Sequence, residues 1–190
     1  MRKINNIASD MIPIRLIISI AVIAAMVIMI SVGYNNLSVV LAKNQVENEC
    51  RTLESKLYTM ISSGIARNVD EINSYDGTKR THTFNLPDTL IFLAFGVDPD
   101  PNNDGILETG LTCNGSAIFY KVMGSNKQVI WLPEEEFRFR EGEFADNKWI
   151  INDGEQGFIY VGGKTTLTFE LVQRNHEIYI LIQGNDNIER

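Results

Sequence analysis

The pattern of apolar and polar positions changes twice along this chain. From Leu16 to Val32 the run LIISIAVIAAMVIMISV carries no charge, and Met11–Ile14 extends it past Arg15. About 20 apolar residues let a helix cross the hydrocarbon core of a bilayer, so residues 11–33 predict a transmembrane helix. The stretch ASDMIP supplies Ser9 or Asp10 as an N-cap, with Pro13 in the first turn where its missing N–H costs nothing. From Val46 the apolar positions thin to Val46, Cys50, Leu53, Leu57, Met60 and Ile61, with Glu47, Glu49, Arg51, Glu54 and Lys56 on the other faces. That spacing is a narrow helical stripe, so residues 34–64 read as an amphipathic extension that Ser62-Ser63-Gly64 stops. Without a break near Gly33–Asn36, one helix of roughly 80 Å runs to Ser63; a kink there is the alternative. The stripe suits packing on the chain's own domain, and its seam-like spacing is also what helix–helix assembly needs.

After about Thr78 the period falls to two. THTFNL alternates with Phe84 and Leu86 on one face, and Leu90–Gly96 is a continuous apolar run that reads as a buried strand. AIFYKVM and KQVIWL flank Gly124-Ser125-Asn126, a hairpin signal, and FRFR, KWII, GFIYVGG, TTLTFELVQ and EIYILIQG follow. Arg174-Asn175-His176 forms a tight turn between the last two. Short strands with frequent turns and no intervening helix predict an all-β antiparallel sandwich or barrel-like sheet over residues 78–190, giving an α+β chain overall.

Charge and location then narrow the picture. Arg2, Lys3 and Arg15 precede or open the apolar run, and the first stretch beyond it offers only Lys43 before Arg51. By the positive-inside rule residues 1–10 form a cytoplasmic basic leader, and the chain after the span lies outside. A cleaved secretory signal is the alternative, but the apolar core is long and no A-x-A-like site follows it. Three basic residues and one acid lie at or before Gly33, and the whole chain carries −7, so the outer part carries −9. Such a surface repels phosphate backbones and excludes nucleic acid as a partner. Two N-x-[ST] sequons, at Asn36 and Asn114, fall on the outer side. So do the only cysteines, Cys50 and Cys113. Paired, they would close a loop of about 60 residues and clamp helix to sheet, worth ~4 kcal/mol on a chain-entropy model. Two buried free thiols are the other reading.

Catalytic chemistry has little to stand on. His82 and His176 lie in or beside strands with no nucleophile or metal-ligand spacing near them, and read as surface strand histidines. Glu134, Glu135, Glu136, Glu141 and Glu143 crowd around Arg138 and Arg140, which suits solvated charges and cross-strand pairs. The strongest site candidate is DPDPNNDGILE, Asp98 to Glu108. From Asp100 it follows the first half of an EF-hand loop: Asp100, Asn102 and Asp104 as ligands, Gly105 at the turn, the Ile106 carbonyl, and Glu108 at the ninth position. Leu111 stands where the twelfth-position carboxylate belongs, and Asp98 could supply a further ligand. The loop therefore predicts a structural calcium site, with a solvated Asp/Asn/Pro/Gly turn as its rival.

The basic leader MRKINNIASD, the apolar helix, its amphipathic extension and the β domain together resemble the archaeal type IV pilin-like proteins, including single-span accessory subunits of the archaellum. The IPIRLI start and the DPDPNNDG loop are also similar to those of methanogen membrane proteins. The resemblance implies a non-enzymatic, membrane-anchored extracytoplasmic subunit that self-associates, or joins related subunits, through its N-terminal helix. A surface binding module for glycan or an envelope protein is the alternative. The chain departs from bacterial pilins in having no acid within Leu16–Val32, and Ala8-Ser9 before Asp10 only loosely fits a prepilin-peptidase site.

Overall fold

The computed structural model follows this order of periods, one long helix and then strands. It describes residues 7–71, 74–108, 115–132, 137–145, 148–151, 157–160 and 164–183, with side chains from residue 14 onward. The elements are α1 (Ile7–Ser63), β1 (Arg67–Asn68), β2 (Lys79–Phe84), β3 (Leu90–Phe95), β4 (Ala117–Val122) and β5 (Gln128–Trp131). They continue with β6 (Arg138–Ala145), β7 (Lys148–Ile151), β8 (Phe158–Tyr160), β9 (Thr165–Arg174) and β10 (Glu177–Gln183). The chain divides into two units, Met1–Val40 and Leu41–Arg190.

The first unit is helical, and its apolar run is long and apolar enough to cross a membrane. None of that run is buried within the molecule. α1 starts at Ile7, ahead of the expected Ser9 or Asp10 cap, so Pro13 lies inside the helix. It is continuous through Gly33–Asn36.

In the second unit, the stripe Val46, Cys50, Leu53, Leu57 and Met60 is buried to within 1% of complete, with Ala42 at its start and Ile61 packed beside it. A side chain of this kind contributes about 1.5–3 kcal/mol when fully buried. The helix ends where Gly64 N–H donates to Met60 O (2.8 Å). A Cβ on Gly64 would lie 2.2 Å from that carbonyl, which is why the stop needs glycine.

Two sheets share this core with the helix. One has the order β1-β9-β10-β6-β7, with β2 also paired to β9; the other runs β5-β4-β3-β8. Phe95 of β3 joins them. Its ring lies 6.1 Å from Phe84, 5.5 Å from Phe139, 5.8 Å from Phe169 and 6.2 Å from Phe158, in tilted and edge-on contacts. The hairpins read from turn residues form as β4–β5 and β9–β10, both antiparallel. In the second, Asn175 (φ 51°) and His176 (φ 67°) are both left-handed, the backbone of a two-residue type I′ turn.

The all-antiparallel expectation is corrected at two places. β6 pairs with β10 in parallel, Arg138–Glu141 alongside Tyr179–Ile182, and β1 pairs in parallel with β9. Alternation reports which face of a strand is buried, not the direction of its neighbour. The long path from β6 through β7, β8 and β9 gives the chain room to return in the same direction.

Candidate functional site

The loop after β3 folds on its own backbone before any side chain closes it. Gly96 (φ 74°) turns the chain out of β3, and Gly96 N–H donates to Ala117 O (2.7 Å). Asp98 Oδ1 accepts from Asp100 N–H (3.1 Å), and Asp104 Oδ1 accepts from Ile106 N–H (2.8 Å). These are the local aspartate-to-backbone turns that such residues favour. Asp100 Oδ1 accepts from Gly105 N–H (3.2 Å), and Glu108 N–H donates to Pro99 O (2.8 Å) to close the neck. Gly105 (φ 84°) occupies the left-handed region that the EF-hand pattern also asks of it.

The loop's charges are met by ammonium groups. Lys121 Nζ of β4 donates to Asp100 Oδ2 (2.9 Å), and Lys127 Nζ of the β4–β5 turn donates to Asp98 Oδ2 (2.6 Å) and to the Asp100 carbonyl. The Lys121 ammonium holds the Asp100 carboxyl below its ordinary range, assisted by Gly105 N–H and opposed by burial. Leu107 packs with Phe92, Ala94, Val97, Phe119 and Ile159 on the far side of the β3–β4 sheet, so the loop lies over that face. Asn102 and Ile106 stay exposed at the tip, and Glu108 is half-buried at the neck. These are the residues expected to cage calcium: Asp98, Asp100, Asn102, Asp104, Ile106 and Glu108. Asp98 and Asp100 hold lysines, and among the described residues no group of three or more His, Cys, Asp and Glu gathers as metal ligands. Leu111 lies outside the described residues.

Of the two cysteines, Cys50 is a free thiol, fully enclosed by the core. Burial pushes its pKa up to about 12, with Glu49 and Glu47 adding to the rise. Cys113 lies outside the described residues, as do Asn114 and Glu134–Glu136. Asn36, the first of the two sequons, is exposed and sits within α1, where the Ser38 hydroxyl donates to Asn35 O (2.8 Å).

Two groups expected at the surface are inside. His82, in phase with Phe84 along β2, is only 4% exposed and meets the Phe84 ring edge-on at 4.4 Å. Its Nδ1 stands 3.0 Å from Lys56 Nζ and its Nε2 stands 3.1 Å from Glu49 Oε2. An ammonium can only donate, so Nδ1 accepts and the ring proton sits on Nε2, donating to Glu49. Burial and the Lys56 charge hold the pKa of His82 below its ordinary value, against the opposing pull of Glu49. Arg140 is 3% exposed, with its guanidinium 5.0 Å above the Tyr179 ring and donating to Phe139 O. His176 and the Arg138–Glu177 pair (3.4 Å) are exposed.

A third polar cluster escaped the sequence entirely. Glu170 of β9 and Arg67 of β1, 103 residues apart, form a fully buried ion pair (Nε to Oε1 2.8 Å, Nη2 to Oε2 3.3 Å). Gly77 N–H and Gln183 Nε2 also donate to Glu170 (3.0 and 2.8 Å), and Arg67 Nη2 donates to Trp149 O (2.6 Å). The cluster stitches β1, β7, β9, β10 and the Gly77 strap together, which is a structural role. Comparison with protein-family models, with curated proteins and with solved structures finds no match for this chain.

Proposed function

We propose that this chain is a membrane-anchored, extracytoplasmic structural subunit without enzymatic activity. It is pilin-like in assembling through its N-terminal helix with copies of itself or related subunits, and it displays its β region as a sandwich. One observation carries the reading. Apart from Arg15, Ser19 and Ser31, side chains along Ile14–Val32 are apolar and exposed, up to 71% at Ile30, while beyond Ala42 the same helix supplies a fully buried stripe to the β core. The N-terminal part of α1 thus needs an apolar environment that the β region does not supply. Lipid and neighbouring helices are the two such environments in a membrane. With the N-terminus cytoplasmic, the acidic β region faces outward.

The test is a photo-crosslinking residue at Val27 in the full chain within native membranes. Crosslinked species at multiples of the chain mass, resistant to carbonate extraction, support assembly. An anchored chain that yields only monomer refutes it and favours the second reading, a surface binding module. That reading has its own observation: Trp131 is 61% exposed beside Phe119, with ring centroids 6.3 Å apart.

A further inference from the structure

The helix–strand seam around His82 has no part in anchoring, and its chemistry goes beyond packing. Two helical side chains of opposite charge, Glu49 and Lys56, about two turns apart along α1, reach the same imidazole from its two nitrogens. Glu49 Oε1 also accepts from Asn85 N–H (3.4 Å), Gln45 Nε2 donates to Asn85 O (2.7 Å), and Lys56 Nζ reaches Thr81 O (3.4 Å). These contacts run along the margin of β2 that α1 covers.

We propose that Lys56, His82 and Glu49 form a proton-sensitive latch that fastens the Leu41–Ser63 part of α1 to β2 while His82 is neutral and loosens when it is protonated. The geometry makes the response one-sided. A proton arriving at Nδ1 removes the ring lone pair that accepts from Lys56 and sets two cations 3.0 Å apart in a half-buried site. Among the described residues, Glu49 is the acid in hydrogen-bond contact with the ring. On the other side β9 places Leu167 opposite His82, and Glu170 further along β9 is held by Arg67. On β2 itself, Lys79 pairs with Asp76, and Arg80 is exposed with its guanidinium on the Lys79 carbonyl. The field at the ring therefore comes from Lys56 against protonation and Glu49 in favour of it.

The sign follows from linkage. A folded-state value below the free imidazole value of about 6.5 means the unfolded chain binds the proton more readily. The latch is then whole above pH ~6.5 and is lost as pH falls from there to the folded-state midpoint.

The test uses the full chain in detergent micelles, with the His82 ring followed by NMR and the α1 amides by hydrogen-exchange protection factors between pH 7 and 5. The wild-type midpoint is expected below about 6.5, and Lys56→Met is expected to raise it by about one unit. Protection at residues 49–57 is expected to fall with pH in the wild type and to stay level in His82→Gln. His82→Phe, which keeps a ring against Phe84, serves as the second non-titrating variant. A midpoint at or above 6.5, a midpoint unmoved by Lys56→Met, or equal loss of protection in both histidine variants and the wild type overturns the latch.

Discussion

Glu170→Leu is the perturbation whose cost the structure specifies most fully. The substitution removes the acceptor of four hydrogen bonds, two from Arg67 and one each from Gly77 N–H and Gln183. Arg67 has 2% of its side chain exposed and retains only the bond to Trp149 O among those described here, so its charge is left buried without a counter-ion. Breaking a buried pair by deleting one partner costs about 3–5 kcal/mol. An orphaned buried N–H at Gly77 adds roughly 1–3 kcal/mol. The sum, about 4–8 kcal/mol, is a large share of the 5–15 kcal/mol that typically holds a domain together. Arg67→Met combined with Glu170→Leu removes both charges and is expected to recover most of the pair's share, leaving about 1–3 kcal/mol for the unpaired Gly77 N–H. Denaturant titration of the full chain in micelles measures both, with the midpoint shifted and the slope unchanged. A loss below about 1 kcal/mol for Glu170→Leu, or a double variant less stable than the single one, would refute the reasoning.

Three further outcomes follow from the same geometry. His176→Gly relieves a non-glycine residue held at φ 67° and is expected to stabilise the chain by about 1 kcal/mol, read as a higher midpoint in the same titration. Cys50, enclosed and with a pKa of about 12, is expected to resist maleimide in the native chain and to react only on unfolding; rapid native labelling at Cys50, located by peptide mapping, contradicts its burial. Because Lys121 and Lys127 already occupy Asp100 and Asp98 of the 98–108 loop, added calcium is expected to leave the melting temperature unchanged, whereas Lys127→Met lowers it. A calcium-dependent rise in the unmodified chain restores the cage reading.

What could be read from the sequence was whatever depends on neighbours a few residues apart. The Val46-to-Met60 stripe encodes its buried face in its own spacing, and Asn175-His176 encodes a turn in its position between two apolar runs. His82 was legible too, because it alternates in phase with Phe84 and Leu86, which marks the inner face of β2. Lone polar residues are usually assigned to the surface, and that habit hid it. The lysine clamp was not legible: Lys121 and Lys127 lie 21 and 29 positions beyond the acids they hold. Nor was the parallel return of β6 beside β10, since period two carries no direction. The loop's composition suits a cation, and only the tertiary fold brings Lys121 and Lys127 to Asp100 and Asp98.

The central claim is that α1 anchors the chain in a membrane with the β region outside. The most direct measurement is labelling of intact cells by a membrane-impermeant maleimide. It compares Lys3→Cys with Tyr75→Cys, a position 94% exposed in the folded β region, each against the unmodified chain. The account predicts that Tyr75→Cys labels in intact cells and Lys3→Cys labels only after permeabilisation. Labelling in the reverse order, or of both only after permeabilisation, contradicts it.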